Sequence, residues 1–182
     1  MPPDPGTRTA ATSPRPSAPK RTISPRANAL AERLEQGARA LATLAESLTD
    51  AQWQVRIPRD GRTIGVVVHH VASVYPVEVD LARAIGSGKA MSEVTWNVVH
   101  DMNAKHASDN AAVTKADALE LLRKNSGEAA SAVRTFTDQQ LDTAAAFGLS
   151  FDAPVTAQFV IEDHALRHSW HHLAGIRAAV VR

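Results

Sequence analysis

Apolar residues recur at steps of three and four over most of this chain, and the breaks in that rhythm divide it into segments. Leu30, Leu34, Ala38, Leu41, Leu44 and Leu48 mark one face of an amphipathic helix running from Ala27 to near Thr49. Trp53 opens a polar connection, QVRIPRDGR, in which Pro58 and Gly61 act as breakers. Thr63 is placed as the N-cap of a second helix, GVVVHHVASVYPVEVDLARAIG, which Gly86, Ser87 and Gly88 stop. Pro76 is expected to kink that helix or end it early. From Val94 to about Val113 the spacing of Trp96, Val99 and Met102 reads as helical. Thr114 to Asp117 resembles a capping box, and Leu119, Leu121 and Leu122 carry the following helix to about Phe136. A loop, TDQQLDTAAAFGLSFDAP, precedes a last helix with Pro154 in its first turn, extending to the C-terminus.

No alternating strand pattern runs beyond a few residues, and the β-branched run Gly65 to Val68 is outweighed by its flanks. Long helices joined by connections of varied length predict an all-α protein, an antiparallel four-helix bundle. The bundle is expected over residues 26–182. Residues 1–25, MPPDPGTRTAATSPRPSAPKRTISP, are rich in Pro, Ser, Thr and basic residues and poor in large apolar side chains. Such a segment buries too little surface to offset its ordering entropy, so it is expected to be a disordered tail.

The composition narrows the function classes. A chain of 182 residues suffices for one domain with a real core, and its formal net charge is +1. Without a broad basic field, nucleic acid is not an expected partner, the basic tail being the one feature in its favour. Absence of cysteine excludes disulfides, thiolate metal ligands and a cysteine nucleophile. Any sulfur chemistry would therefore use a thiol brought by a small-molecule co-substrate. No apolar run approaches the ~20 residues of a membrane span, and the N-terminus lacks a signal-type apolar region. The expectations are no membrane partner, a cytoplasmic location and a small-molecule substrate.

The candidate chemistry lies in histidine. Half of the eight histidines, His164, His168, His171 and His172, fall in one run, IEDHALRHSWHHLAGIR, and His69 and His70 lie far upstream. Imidazoles at i and i+4 share a helix face, and a third from another helix would complete a site with open coordination positions. Along the last helix Ile161, Ala165, His168, His172, Gly175 and Ala179 follow steps of four and three, a bundle-facing seam. Val67, His70, Val74, Val77 and Leu81 form the equivalent seam on the second helix, while His69 falls with Val66, Ser73 and Pro76. Periodicity thus points His70, His168 and His172 into one core. Two readings remain open on spacing alone: a metal triad, or buried imidazoles bonded to one another.

The other candidates are secondary. His164 and His171 are placed beside the triad as flanking residues. Asn103 and His106, at i and i+3, could line a pocket, although a solvated face is the preferred reading for them and for His100. Glu162 and Asp163 read as exposed helix-end charge rather than as carboxylates orienting a ligand histidine. Ser169 points about 100° from His168 and is a poor nucleophile. Phosphate-loop, dinucleotide and serine-elbow motifs are absent. No carboxylate has the helical spacing of a di-iron E-x-x-H bundle.

The segment LTDAQWQVRIPRDGRTIGVVVHHVA, residues 48–72, resembles the start of DinB/YfiT-like domains, and HSWHHLAGI resembles their H-x-x-x-H helix. The likeness spans about residues 27–182, and the family's metal histidines fall on His70, His168 and His172. It implies an up-down-down-up four-helix bundle, a divalent metal such as zinc, nickel or iron, and often a homodimer. Relatives of this class include thiol S-transferases and mycothiol-dependent maleylpyruvate isomerases. The implied function is a metal-dependent enzyme activating water or a low-molecular-weight thiol. The alternative is a non-catalytic, stress-associated bundle whose metal is structural or absent. The chain departs from the family in its long N-terminus, Pro76 and an extended middle segment, which bears on the substrate pocket more than on the metal.

Overall fold

The computed structural model describes residues 24–181. The expected tail therefore lies outside the described residues, except for its last two, which belong to the domain. Ser24 is 4% exposed and its Oγ accepts from the Ala27 N–H at 3.0 Å, so it caps helix α1 (Pro25–Ser47) with Pro25 at the first position. Proline is tolerated there because its missing N–H would have had no helical partner. Ala27, Leu30, Ala31, Leu34, Ala38, Leu41 and Ala45 bury the inner face of α1.

Threonine writes the remaining helix starts. Thr49 caps α2 (Asp50–Trp53), Thr63 caps α3 (Ile64–Gly86) and Thr95 caps α4 (Trp96–Asp109). Thr114 caps α5 (Lys115–Val133), Thr137 caps α6 (Asp138–Asp142) and Thr156 caps α7 (Ala157–Val160). In each case the hydroxyl accepts a backbone N–H that has no partner within the helix. The last helix thus begins at Ala157 and not at Pro154. It continues through a π-helical turn (Ile161–Leu166) into α8 (Arg167–Val180).

Long-range pairings set the topology. On α1 and α5, Glu35 meets Arg134 and Glu46 meets Arg123, so these two helices are antiparallel. Arg26 meets Gln158 and Arg33 meets Glu162, so α1 and the last helix run parallel. Along α3, His70 approaches His172 whereas Gly86 approaches Ala157, an antiparallel pair. Asn125 reaches Ala72 and Phe136 lies beside Gly86, so α3 and the α5 segment run parallel. The four long helices therefore form an up-down-down-up bundle, as expected. A parallel α3–α5 pair needs a long crossover, and α4, which has no buried residue, lies within it.

Pro76 does not end α3. It removes the N–H that would have bonded the Ala72 carbonyl, and the Asn125 side-chain amide donates to that carbonyl instead, at 2.9 Å. Asn125 is 8% exposed, so its second role is to satisfy an interior acceptor that water does not reach. The helix is also long and apolar enough to cross a membrane by length and composition, with an 18-residue window at mean hydropathy 1.2. Here that apolarity serves the core: Val67, Val68, Val71, Ala72, Tyr75, Val79, Ala82 and Ile85 are all buried.

A small sheet lies in the segment before the last helix, which the sequence reads as loop and the first turn of that helix. β1 (Ala144–Ala146) pairs antiparallel with β2 (Pro154–Thr156), in the register Ala144–Thr156, Ala145–Val155 and Ala146–Pro154. Three-residue strands are too short to show alternation, which is why the sequence conceals them. Met91, on the crossover, donates its N–H to the Ala146 carbonyl at 2.8 Å and accepts from Gly148 at 3.1 Å. This contact ties the start of the crossover to the hairpin.

Candidate metal centre

α3 and the last helix pack so that three histidines meet. One ring nitrogen from each of His70, His168 and His172 lies within 4.8 Å of the others. Ring centroids are 5.0 Å apart for His70 and His168, 5.6 Å for His70 and His172, and 4.8 Å for His168 and His172. His70 is 4% and His172 8% exposed. These are the three residues that periodicity brought together.

The seams that selected them are shifted in the folded protein. On α3 the core line passes through Val71, Tyr75, Glu78, Ala82 and Ile85, while Val77 is 43% exposed. On the last helix it passes through Ile161, Ala165, Ser169, Leu173 and Ile176. From Ile161 to Leu173 successive core positions are four residues apart, more than the 3.6 of an α-helix, and the wider π turn absorbs the excess. Ser169 thereby takes the core position, where it is fully buried and hydrogen-bonded to the Tyr75 hydroxyl. His168 and His172 sit on the flank that faces His70.

A carboxylate missed by the sequence reading completes the cluster. Glu78, 6% exposed, accepts a hydrogen bond from His168 Nδ1 at 2.6 Å. That bond fixes the proton on Nδ1 and leaves Nε2 of His168 as a lone-pair donor, the carboxylate–histidine arrangement common behind metal ligands. The signal was present: Glu78 is three residues after Tyr75 and four before Ala82, on their buried face. Glu162 and Asp163 do not serve this role. Glu162 pairs with Arg33 at 2.9 Å and Asp163 with Arg167 at 2.8 Å.

Burial keeps His70 and His172 neutral. Burial pushes the His70 imidazole down to about 2 and His172 to about 3, with the charge of neighbouring His168 and Arg62 acting in the same direction. Neutral imidazoles are the form that ligates metal. His70 Nδ1 is buried and has no hydrogen-bond partner in the protein. A buried nitrogen with no partner, amid three converging imidazoles, is a donor set suited to a divalent transition metal such as zinc, nickel or iron.

The flanking histidines divide. His106, read from sequence as solvated, instead crosses over the site: its Nε2 is 2.8 Å from His69 Nδ1 and its ring centroid 5.5 Å from that of His70. Burial, then His69 and Arg62, push His106 down to about 4. Asn103, one turn earlier on α4, is half-buried. His164 packs edge-on against Phe147 at 5.5 Å, in the layer next to the triad, and burial lowers its pKa. His171 is exposed, 5.2 Å from the His172 ring. His100 rests near the Trp96 ring, 6.2 Å away.

The QVRIPRDGR connection also reaches the site, which its polar sequence did not foretell. Arg62 grips Asp60 with two bonds, Nε to Oδ1 at 2.5 Å and Nη2 to Oδ2 at 2.7 Å. Burial raises the Asp60 pKa, but the bonds and charge of Arg62 outweigh it and hold the carboxyl below its ordinary value. A cleft of about 520 Å³, lined by Ile57, Asp60, His171, His172 and Gly175 among others, opens beside the triad. That size is within the usual range for small-molecule sites.

An up-down-down-up bundle with three histidines converging from two antiparallel helices, one of them backed by a buried carboxylate, defines a distinct class of helical protein. The chain belongs to the DinB superfamily, which it matches over residues 8–176. It is 28% identical over 152 residues to the Bacillus subtilis (strain 168) protein named "Putative metal-dependent hydrolase YfiT", covering 79% of this chain and 78% of that one. The solved structure of YfiT from Bacillus subtilis, described as a probable metal-dependent hydrolase with an unusual four-helix bundle topology, superposes with a TM-score of 0.69. That likeness covers 89% of this chain and 90% of the other at 22% identity, and it establishes the fold.

Proposed function

We propose that this chain is a metal-dependent enzyme in which His70, His168 and His172 hold one divalent ion and a small molecule reacts beside it. The observation that carries this reading is the convergence of three largely buried imidazoles with His70 Nδ1 left unpartnered. Burying such groups without partners is costly, and a metal satisfies them together. A bound divalent metal supplies Lewis acidity, lowering the pKa of a coordinated water or thiol.

The chain's own residues do the rest. Glu78 orients His168 through the Nδ1 bond, and the Tyr75 hydroxyl bonded to Ser169 ties α3 to the last helix beside it. His106 and His69, joined by a ring–ring hydrogen bond, form a pair beside His70. The cleft beside His172 admits the substrate. Hydrolysis accords with the name of the Bacillus subtilis relative. Transfer of a small thiol is the finer alternative, consistent with a chain that has no cysteine of its own.

Metal analysis of the purified protein tests the proposal, followed by a screen of ester, amide and thiol-conjugation substrates. One equivalent of divalent metal per chain, lost in His168→Ala with the helical circular dichroism retained, is the expected result. A protein that takes up no zinc, nickel or iron, and whose melting temperature does not respond to them, refutes it. Metal uptake that raises the melting temperature without turnover of any substrate class would instead mark a structural ion.

A further inference from the structure

We infer that Arg62 is the anchor for an anionic oxygen group, a carboxylate or phosphate, on the small molecule that binds beside the histidine triad. The inference rests on the metal reading above and names the ligand chemistry of that same site.

Arg62 presents a fork of five N–H donors. Asp60 takes Nε and Nη2, which leaves Nη1, and that nitrogen is buried with no partner in the protein. The side chain is only 17% exposed, so bulk water does not meet the need. An arginine cannot neutralise itself by losing its proton, unlike a buried lysine. An unsatisfied donor on a permanent cation is among the costliest groups to leave in an interior, and an anionic acceptor removes the cost.

The position of the guanidinium says where that acceptor must lie. It is bonded through Nε and Nη2 to Asp60, and Asp60 lines the same cleft as the ligand histidine His172. The cation therefore stands beside the triad. A second unpartnered buried nitrogen, His106 Nδ1, belongs to the same surroundings. Two orphaned polar atoms from separate segments, next to one imidazole cluster, mark a place built for a polar ligand. Asp60, which pins Arg62, also lines the cleft of about 520 Å³ beside His172. Small residues of α8, Ala174, Gly175 and Ala178, hollow out the same cleft and leave room for the rest of the molecule. Asp60 thus has a positioning role: it holds Nε and Nη2 of the guanidinium and leaves Nη1 for the ligand.

The test uses cobalt-loaded full-length protein, with the visible spectrum of the ion as readout and two probes, inorganic phosphate and neutral imidazole. Arg62→Met is expected to weaken phosphate binding by about 10- to 100-fold, the worth of a charge-assisted hydrogen bond, while imidazole binds within about twofold of wild type. Arg62→Lys, which keeps the charge but cannot both fork to Asp60 and reach the site, weakens phosphate by a smaller factor. Unchanged phosphate affinity in Arg62→Met overturns the inference, as does equal weakening of both probes, which would report a distorted site. Should Arg62→Met fail to fold, the Asp60→Asn/Arg62→Met pair removes the stranded carboxylate, and the same two criteria decide. A wild type that takes up no cobalt sinks the metal reading instead. Phosphate is then titrated calorimetrically into metal-free protein: binding that Arg62→Met abolishes sustains the anchor, and no binding by wild type overturns it.

Discussion

Replacing Glu78 by Gln separates a carboxylate that tunes a ligand from one that holds up a fold. The substitution conserves shape, and the glutamine carbonyl can still accept from His168 Nδ1, now 2.6 Å from Oε1. What is lost is the charge, and with it the added basicity and fixed tautomer of the ligand. Such outer partners are worth about 10- to 100-fold in metal affinity, or roughly 1.4–2.7 kcal/mol. The metal-free protein responds differently. Glu78 is 6% exposed and its Oε2 has no partner, so the ionised form is poorly compensated in the interior. Neutralising it relieves desolvation, while the new amide leaves a buried donor without an acceptor at a cost of about 1–3 kcal/mol. These effects oppose, so the metal-free melting temperature should move by no more than about 4 °C, the equivalent of roughly 1 kcal/mol in a domain of this size. Competition against a chromophoric chelator gives the first quantity and thermal circular dichroism after chelation gives the second. An unchanged metal affinity with a metal-free melting point lowered by more than about 8 °C would refute the reasoning and make Glu78 a structural partner only.

Further expectations follow from the same geometry. For the metal-free protein, His70 and His172 are held far below the ordinary histidine value, so the unfolded chain binds more protons than the folded one below about pH 6.5. Their stability contribution is present above that pH and lost as pH falls, with a combined slope approaching roughly 2.7 kcal/mol per pH unit between about pH 5.5 and 4; urea titrations at pH 7 and pH 5 that give equal stability would contradict it. Asn125→Ala strands the Ala72 carbonyl freed by Pro76 and should cost about 1–3 kcal/mol. Most of that cost should disappear in the Pro76→Ala background, where the backbone N–H returns, and additive effects in the double-mutant cycle would disprove the compensation. At Gly65 an added Cβ would lie 2.4 Å from Trp53 Nε1, so Gly65→Ala must displace the indole and break its bond to the Val113 carbonyl, now 3.2 Å. A loss of about 1–3 kcal/mol with altered tryptophan fluorescence is expected, and wild-type stability would show that the ring yields freely.

Much of this protein was legible in one dimension, for reasons that are local. Threonine caps at Thr63 and Thr114, the apolar rhythm of α1 and the glycine stop after Ile85 are short-range signals, and each stands where it was read. The triad was legible too, because a histidine on a bundle-facing stripe contradicts its apolar neighbours. The stripe itself was drawn on the wrong line: a strict alternation of four and three runs through Val77, which faces solvent. The actual core line follows Tyr75, Glu78 and Ala82, and it held the missed carboxylate. Likewise the end of the expected tail at Pro25 overlooked a serine cap and an N1 proline, both readable signals.

By itself, then, the sequence determined the long helices, the capped starts at Thr63 and Thr114, the bundle class and which three histidines contradict an apolar face, since all of these depend on neighbours within a few positions. Only the tertiary structure decided the partners. That Glu78 on one helix stands behind His168 on another, that His106 of the crossover covers His70 and that Asn125 repairs the gap left by Pro76 are matters of contact between segments 36 to 90 residues apart. Such contacts leave no periodicity in the chain. They arise because a buried polar group must find its complement wherever the packing brings one, and the packing is a property of the whole bundle.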